Sequence, residues 1–279
     1  MTFQIKLISK FVFIVSLSLL IFSCEKVIDI PLDESAQKVV IEASTSNFLG
    51  DSYVLLSRTA TLYGQDVFEK VNNGTVIITD KNGVAVTFIE DGTNKGKYTH
   101  PTFVVTPNNA YILHVNIDGE TYTAKSITQS STVLDSIYTL KEENQGFSPG
   151  SGGNNGPPTD SINLVYMVYS DNVNESNQYR FNVYTNGKRN ERINLIDDKI
   201  SNGQVLDSKF FATYKSKDTV VVEMINLDKA NYTYFKSLSN TSGGGPFSAT
   251  PANPVTNLDN GALGYFGAYL KDTVSLIIP

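Results

Sequence analysis

From Val39 to Ala124 the chain repeatedly spells a few β-branched and aromatic residues and then stops at a turn. Val39-Val40-Ile41-Glu42-Ala43 and Tyr53-Val54-Leu55-Leu56-Ser57 are two such runs. Residues 76–79 and 84–88 are joined through Asp80-Lys81-Asn82-Gly83, and Asp118-Gly119 marks another tight turn. Asn-Gly and Asp-Gly accept the positive φ that two-residue hairpin loops demand, so these pairs read as hairpins. Residues 97–99, 111–115 and 122–124 are further runs. Seven or so strands over about 90 residues predict a β-sandwich with Greek-key or meander connections.

The pattern breaks at residues 145–159 (QGFSPGSGGNNGPPT), where Gly, Pro, Ser and Asn leave no apolar face and a loop or linker is expected. Strand-like runs resume at 162–170, 178–185, 210–214 and 220–225. Residues 227–239 (LDKANYTYFKSLS) predict a helix, with Asp228 as its cap and Ala230, Tyr234 and Leu238 spaced by four. A second Gly/Pro/Asn-rich segment precedes two closing strands at 262–268 and 274–278. No internal repeat recurs at a fixed period. With 15 Tyr, 15 Phe and few helix-favouring runs, the chain is expected to be mainly β. We expect an N-terminal β-sandwich over 38–130, then a second β-rich domain over 131–279 with one short helix.

The N-terminus carries a different kind of information. Lys6 and Lys10 precede an apolar run at 11–22, interrupted only by Ser16 and Ser18. As a helix that run is roughly 18 Å long, too short for a hydrocarbon core of roughly 30 Å. A basic start, a short apolar stretch and a small residue before the cut predict a secretory signal peptide over 1–23. Its end, Ile21-Phe22-Ser23-Cys24, resembles the lipobox of bacterial lipoproteins, in which the cysteine thiol is lipidated and becomes the new N-terminus. Two or more acyl chains on Cys24 would hold the protein at a membrane where one alone is marginal. Cys24 is the only cysteine, so its lipidation removes disulfides, thiolate metal ligands and a cysteine nucleophile together. Residues 24–37 are polar, contain Pro31 and read as a tether. Cleavage removes two lysines and no acid, moving the net charge from −6 to −8. The mature chain of about 256 residues has room for one large or two medium domains. No basic cluster exists, so nucleic acid is not an expected partner.

Residues able to do chemistry are scattered. His100 and His114 are the only histidines, and a zinc site built on them would lack its remaining ligands. No G-x-S-x-G elbow occurs, and Gly150 to Gly156 and Gly243-Gly244-Gly245-Pro246 lack the Lys-Ser/Thr of a phosphate loop. Asp171-Asn172-Val173-Asn174-Glu175 alternates oxygen ligands but lacks the glycine and distal glutamate of an EF-hand, so a polar hairpin turn is expected. Asp197-Asp198 is read the same way. We assign no catalytic residue, metal ligand or cofactor. Asp-Ser/Thr-aliphatic recurs at Asp135-Ser136-Ile137, Asp160-Ser161-Ile162, Asp218-Thr219-Val220 and Asp272-Thr273-Val274. The pattern resembles the O-glycosylation acceptor of exported Bacteroidota proteins, making Ser136, Ser161, Thr219 and Thr273 candidate acceptors. It is equally how a strand begins after a turn.

Four stretches together resemble the domain-of-unknown-function 4249 family of Bacteroidota outer-membrane lipoproteins. They are residues 24–30 (CEKVIDI), the strand at 39–43, the V-x-I-x-D-x-x-G-V pattern at 76–84 with Gly96-Lys97-Tyr98 and Tyr111-Ile112-Leu113, and Asn253-Pro254-Val255-Thr256-Asn257 running to Gly264-Tyr265-Phe266. The resemblance implies an immunoglobulin- or transthyretin-like N-terminal sandwich, a second β-rich part, and pairing with an outer-membrane β-barrel transporter of the TonB-dependent class. It supplies no reaction, and the ligand is unknown. The expected role is that of a non-enzymatic accessory or binding subunit, with an adhesin or envelope spacer and a hydrolase as alternatives. The weak acidity after Cys24, from Glu25 and Asp29, leans localisation toward the outer face of the outer membrane. Metabolic labelling with palmitate tests the anchor: the wild-type chain takes up label, and Cys24→Ala abolishes it.

Overall fold

Along residues 110–117 every second side chain is buried. Tyr111, Leu113, Val115 and Ile117 point inward while Ile112, His114 and Asn116 face out, the period-two signature of a strand with one covered face. The computed structural model describes residues 36–60, 68–130, 133–144, 159–199, 203–210, 212–241 and 253–279, without the side chains of 143–144 and 159–161. The signal segment, Cys24, the tether up to residue 35, most of the 145–159 loop, the side chain of Ser161 and Gly243 to Gly245 lie outside that description.

The first part of the chain forms β1 (Val39–Ser46), β2 (Tyr53–Arg58), β3 (Thr75–Asp80), β4 (Ala85–Glu90), β5 (Lys97–Thr99), β6 (Ala110–Ile117) and β7 (Glu120–Ile127). There follow β8 (Leu134–Asn144), β9 (Thr159–Ser170), β10 (Gln178–Thr185), β11 (Lys188–Arg189), β12 (Asn194–Asp197), β13 (Val205–Lys209) and β14 (Thr219–Leu227). Helix α1 (Lys229–Thr241) and β15 (Leu263–Ile277) complete the fold, which is mainly β with one short helix among the described residues.

Twelve strands join in the order β11-β10-β14-β15-β1-β2-β5-β4-β3-β6-β7, with β12 paired to β10, and β13-β9-β8 form a separate three-stranded sheet. β4 pairs with β3 through residues 85–88 and with β5 through Ile89 and Glu90, and side chains from either side of this junction meet in a first core. That core holds Ile41, Leu56, Ile78, Phe88, Leu113 and Val115, together with Leu258, Phe266, Ala268 and Leu270 from the far end of the chain. A second core lies against the three-stranded sheet and contains Met167, Tyr169, Tyr179, Phe181, Val222 and Met224. Residues Ala36–Pro279 form one compact unit. The last strand therefore crosses the division drawn at residue 130 in the sequence, and the first core is incomplete without it.

Strand β15 differs from expectation in being one 15-residue strand rather than two short ones. It pairs in parallel with β1 from Val40↔Leu263 to Ser46↔Tyr269, then antiparallel with β14 from Asn226↔Leu270 to Thr219↔Ile277. The ladder with β1 over its first half and the ladder with β14 over its second keep its backbone extended where local sequence alone would let it end. Residues 210–214 also differ: the regular strand is β13 at Val205–Lys209, beyond which Phe210 and Tyr214 keep single backbone bonds to Val165 and Asn163 of β9 while their side chains fill the second core. In α1, Asp228 caps as expected, its Oδ1 accepting the Asn231 N–H at 2.8 Å. The buried face is Asn231, Tyr234 and Phe235 with Leu238 partly buried, and Ala230 is exposed.

Where β1 and β15 begin their parallel pairing, Gly264 has φ +99 and faces Ile41. A Cβ there would lie 2.0 Å from the Ile41 carbonyl oxygen, which no side chain can do without separating the strands. We expect Gly264→Ala to lower the unfolding free energy by about 3 kcal/mol or more in urea titration. Gly83→Ala, at an open turn with φ +83 and no atom within 4 Å, should cost only about 1–2 kcal/mol.

Candidate functional site

Even-numbered side chains of β15 face the two cores, so its odd-numbered ones (Tyr265, Tyr269, Lys271, Thr273) lie on the opposite face of the long sheet. Helix α1 covers part of that face through Tyr234 and Phe235, which pack with Tyr265 and Tyr269. Beside the helix the face is left as a groove of about 460 Å³. Glu42 and Ser44 on β1 and Tyr53 on β2 form one wall, and Arg180, Asn182 and Tyr184 on β10 form the other, with Lys271 and Glu223 on the floor between them.

Lys271 is held from several sides. Asn47 grips its backbone, accepting the Lys271 N–H at 2.8 Å and donating to its carbonyl at 3.1 Å. Its side chain is 9% exposed, with Nζ 2.7 Å from Asp51 and 3.3 Å from Glu223. Burial pulls the ammonium's pKa down, but Glu223 and Asp51 outweigh that and leave it above the ordinary lysine value. Glu223 also accepts from Asn182 at 2.5 Å, and Asn182 accepts from Arg189 at 3.0 Å. Burial raises the pKa of Tyr184, Tyr265 and Tyr269, and pushes Tyr234 up to about 12, so these phenols stay neutral donors at physiological pH. The groove thus presents fixed charges of both signs on a tyrosine-rich floor, a surface fitted to binding a polar ligand.

The closing motif builds this site from beneath. Asn257 accepts the Phe266 N–H at 2.9 Å and donates to the Phe266 carbonyl at 2.8 Å, so Asn-Pro-x-x-Asn recognises the backbone of Gly-Tyr-Phe. Asn231 of α1 donates to the same carbonyl at 2.9 Å and accepts the Tyr269 hydroxyl at 2.9 Å. Asp228 accepts from the Ser126 hydroxyl at 2.6 Å, and Ser126 in turn accepts the Ala268 N–H at 2.9 Å. Helix, β7 and β15 are locked together by these polar side chains, two of which (Asn231 and Ser126) are almost fully buried. Within the motif, Gly264 and Phe266 serve packing while Tyr265 opens onto the groove.

The family described as Domain of unknown function (DUF4249) matches residues 25–275. The chain belongs to this family. No curated protein matches it. In this DUF4249 chain the groove residues come from β1, β2 and the turn between them, from β10, β11, β14, β15 and α1, and so from both ends of the matched region.

The residues singled out in the sequence fall elsewhere. Among the candidate acceptors, Ser136, Thr219 and Thr273 are exposed on β8, β14 and β15. Thr273 sits opposite Glu223 at the groove's edge. The aspartates beside them are engaged: Asp135 by Ser170, Asp218 by the Lys215 N–H and Asn186, and Asp272 by the Leu134 N–H. His114 faces out on β6, and His100 Nδ1 accepts from the Thr102 N–H at 3.3 Å. Asp171 accepts from the Tyr179 hydroxyl at 2.6 Å and the Gly203 N–H at 2.9 Å, Glu175 from Ser130, and Asp198 from the Asn177 N–H. Their oxygens pin loops together. Among the described residues no three His, Cys, Asp or Glu side chains converge as a metal site, and no helix is long and apolar enough to cross a membrane. Sequence reasoning did not find Arg180, Glu223 or Lys271. The available signal was a charge set between buried aromatics, as Arg180 is between Tyr179 and Phe181.

The groove makes stability fall in alkali. Unfolded tyrosine and lysine ionise at about 10 and about 10.4. Tyr234, Tyr265, Tyr269 and Lys271 all titrate higher in the folded chain, so above about pH 10 the native state holds more protons than the unfolded one. The stabilisation is complete below those unfolded values and is lost as pH rises through the folded ones. Urea midpoints should therefore hold to about pH 9 and drop between about pH 10 and about pH 12, and Tyr234→Phe should flatten the slope.

Proposed function

We propose that this chain is a non-enzymatic outer-membrane lipoprotein, anchored by lipid on Cys24, that serves as an accessory or binding subunit of a TonB-dependent β-barrel transporter. The observation that carries the binding role is the charged, tyrosine-lined groove on the open face of the long sheet. Its charges are held by internal partners and backbone clamps, so little ordering is needed when a ligand arrives. The lipobox-like end of the signal segment supports the anchor, and its sequence context supports the outer face of the membrane. About 15 residues separate Cys24 from Val39, which bounds the distance from anchor to β1 at about 50 Å.

Affinity capture of the full-length lipidated chain from detergent-solubilised outer membranes tests the role. A β-barrel transporter in roughly equal amount is the expected result. Recovery of the chain alone counts against an accessory role.

A further inference from the structure

The fold treats the groove's two inner cations differently. Lys271 meets Asp51 and Glu223, whereas no carboxylate among the described residues lies within ion-pair distance of Arg180. Arg180 stands between Tyr179 and Phe181, both fully buried on the other face of β10, so its backbone position is set by the second core. Its guanidinium lies 4.0 Å over the Phe235 ring, and its buried Nε has no hydrogen-bond partner among the described residues. A planar guanidinium offers a carboxylate two parallel N–H donors, and here that capacity is unspent. Burial and the neighbouring Arg189 both press against its charge, a cost that an anion from outside would relieve.

The surroundings define the rest of the ligand. Tyr265 packs on Phe235 at 5.0 Å and on Tyr234 at 4.9 Å, so an aromatic wall extends from the guanidinium. Such a wall favours a flat or apolar body. Glu42, Asp51 and Glu223 line the same groove and balance Arg180, Arg189 and Lys271, so a second negative charge on the ligand meets no excess of positive charge. We propose that the groove binds an organic monocarboxylate, its carboxylate on Arg180 and its body along the Tyr234–Tyr265 wall. This rests on reading the groove as the ligand site and adds the chemical class.

Calorimetric titration of the full-length lipidated chain in detergent micelles, with benzoate, benzamide and inorganic phosphate as probes, tests it. Benzoate should bind saturably, and benzamide and phosphate at least about tenfold more weakly, since one lacks the charge and the other carries too much of it. Arg180→Met should weaken benzoate at least about tenfold, and Arg180→Lys should restore only part, because an ammonium lacks the fork. Removing an unpaired buried cation should also leave the unliganded melting temperature unchanged or raised, where a merely structural arginine would lower it. Equal binding of benzoate and benzamide, tighter binding of phosphate, or benzoate binding that survives Arg180→Met overturns the assignment. So does the absence of saturable benzoate binding. A chain that captures a barrel yet ignores benzoate overturns the ligand class alone; one that binds benzoate but purifies without a barrel overturns the accessory role alone.

Discussion

A glycine at the start of the last strand holds the two halves of this protein in one sheet. Gly264 lets the backbone of β15 approach Ile41 more closely than any side chain permits, within a parallel ladder of seven residue pairs between β15 and β1. Further along, the same strand pairs with β14, so one uninterrupted strand runs from the first core to the second. Parallel neighbours need a long connection, and here nearly the whole chain is that connection. The placement of the two cores is thereby fixed by main-chain hydrogen bonds instead of by a linker.

The position of the groove follows from that arrangement. A strand with both neighbours in place buries one row of side chains in the cores and must offer the other row to something else. Helix α1 covers some of that row, and the Asp228, Ser126 and Asn231 contacts decide where it lies. The uncovered remainder collects Glu42, Arg180, Glu223 and Lys271 from four different strands. Buried charges are costly unless paired, and Lys271 is paired while Arg180 is stacked on a ring and meets no carboxylate among the described residues. That asymmetry gives the site its chemical character.

Much of the strand content could be read from local pattern. The runs at 39–43, 53–57, 76–79 and 111–115 alternate or carry β-branched residues between turn signals, and all lie in strands. Helix α1 was legible through its Asp228 cap, although its buried face is Asn231-Tyr234-Phe235, which an apolar periodicity centred on Ala230 misses because Asn231 is buried by hydrogen bonding. Residues 210–214 carry an apolar pattern that resembles a strand, yet Phe210 and Tyr214 serve as core plugs beside β13. Short, polar β11, β12 and β13 have no periodicity to find, since their pairing is decided by neighbours.

Sequence alone determined the mainly β class, the hairpin at Asn82-Gly83, the helix cap, and the family resemblance now matched over residues 25–275. These depend on residues close together in the chain, where turn preference and side-chain alternation act directly. Tertiary structure alone decided that β15 joins β1 to β14, and that Glu42, Arg180 and Lys271 meet in one groove. Pairings between residues more than 200 positions apart leave no local periodicity, because they are chosen by which strands can complete one another's ladders and cores.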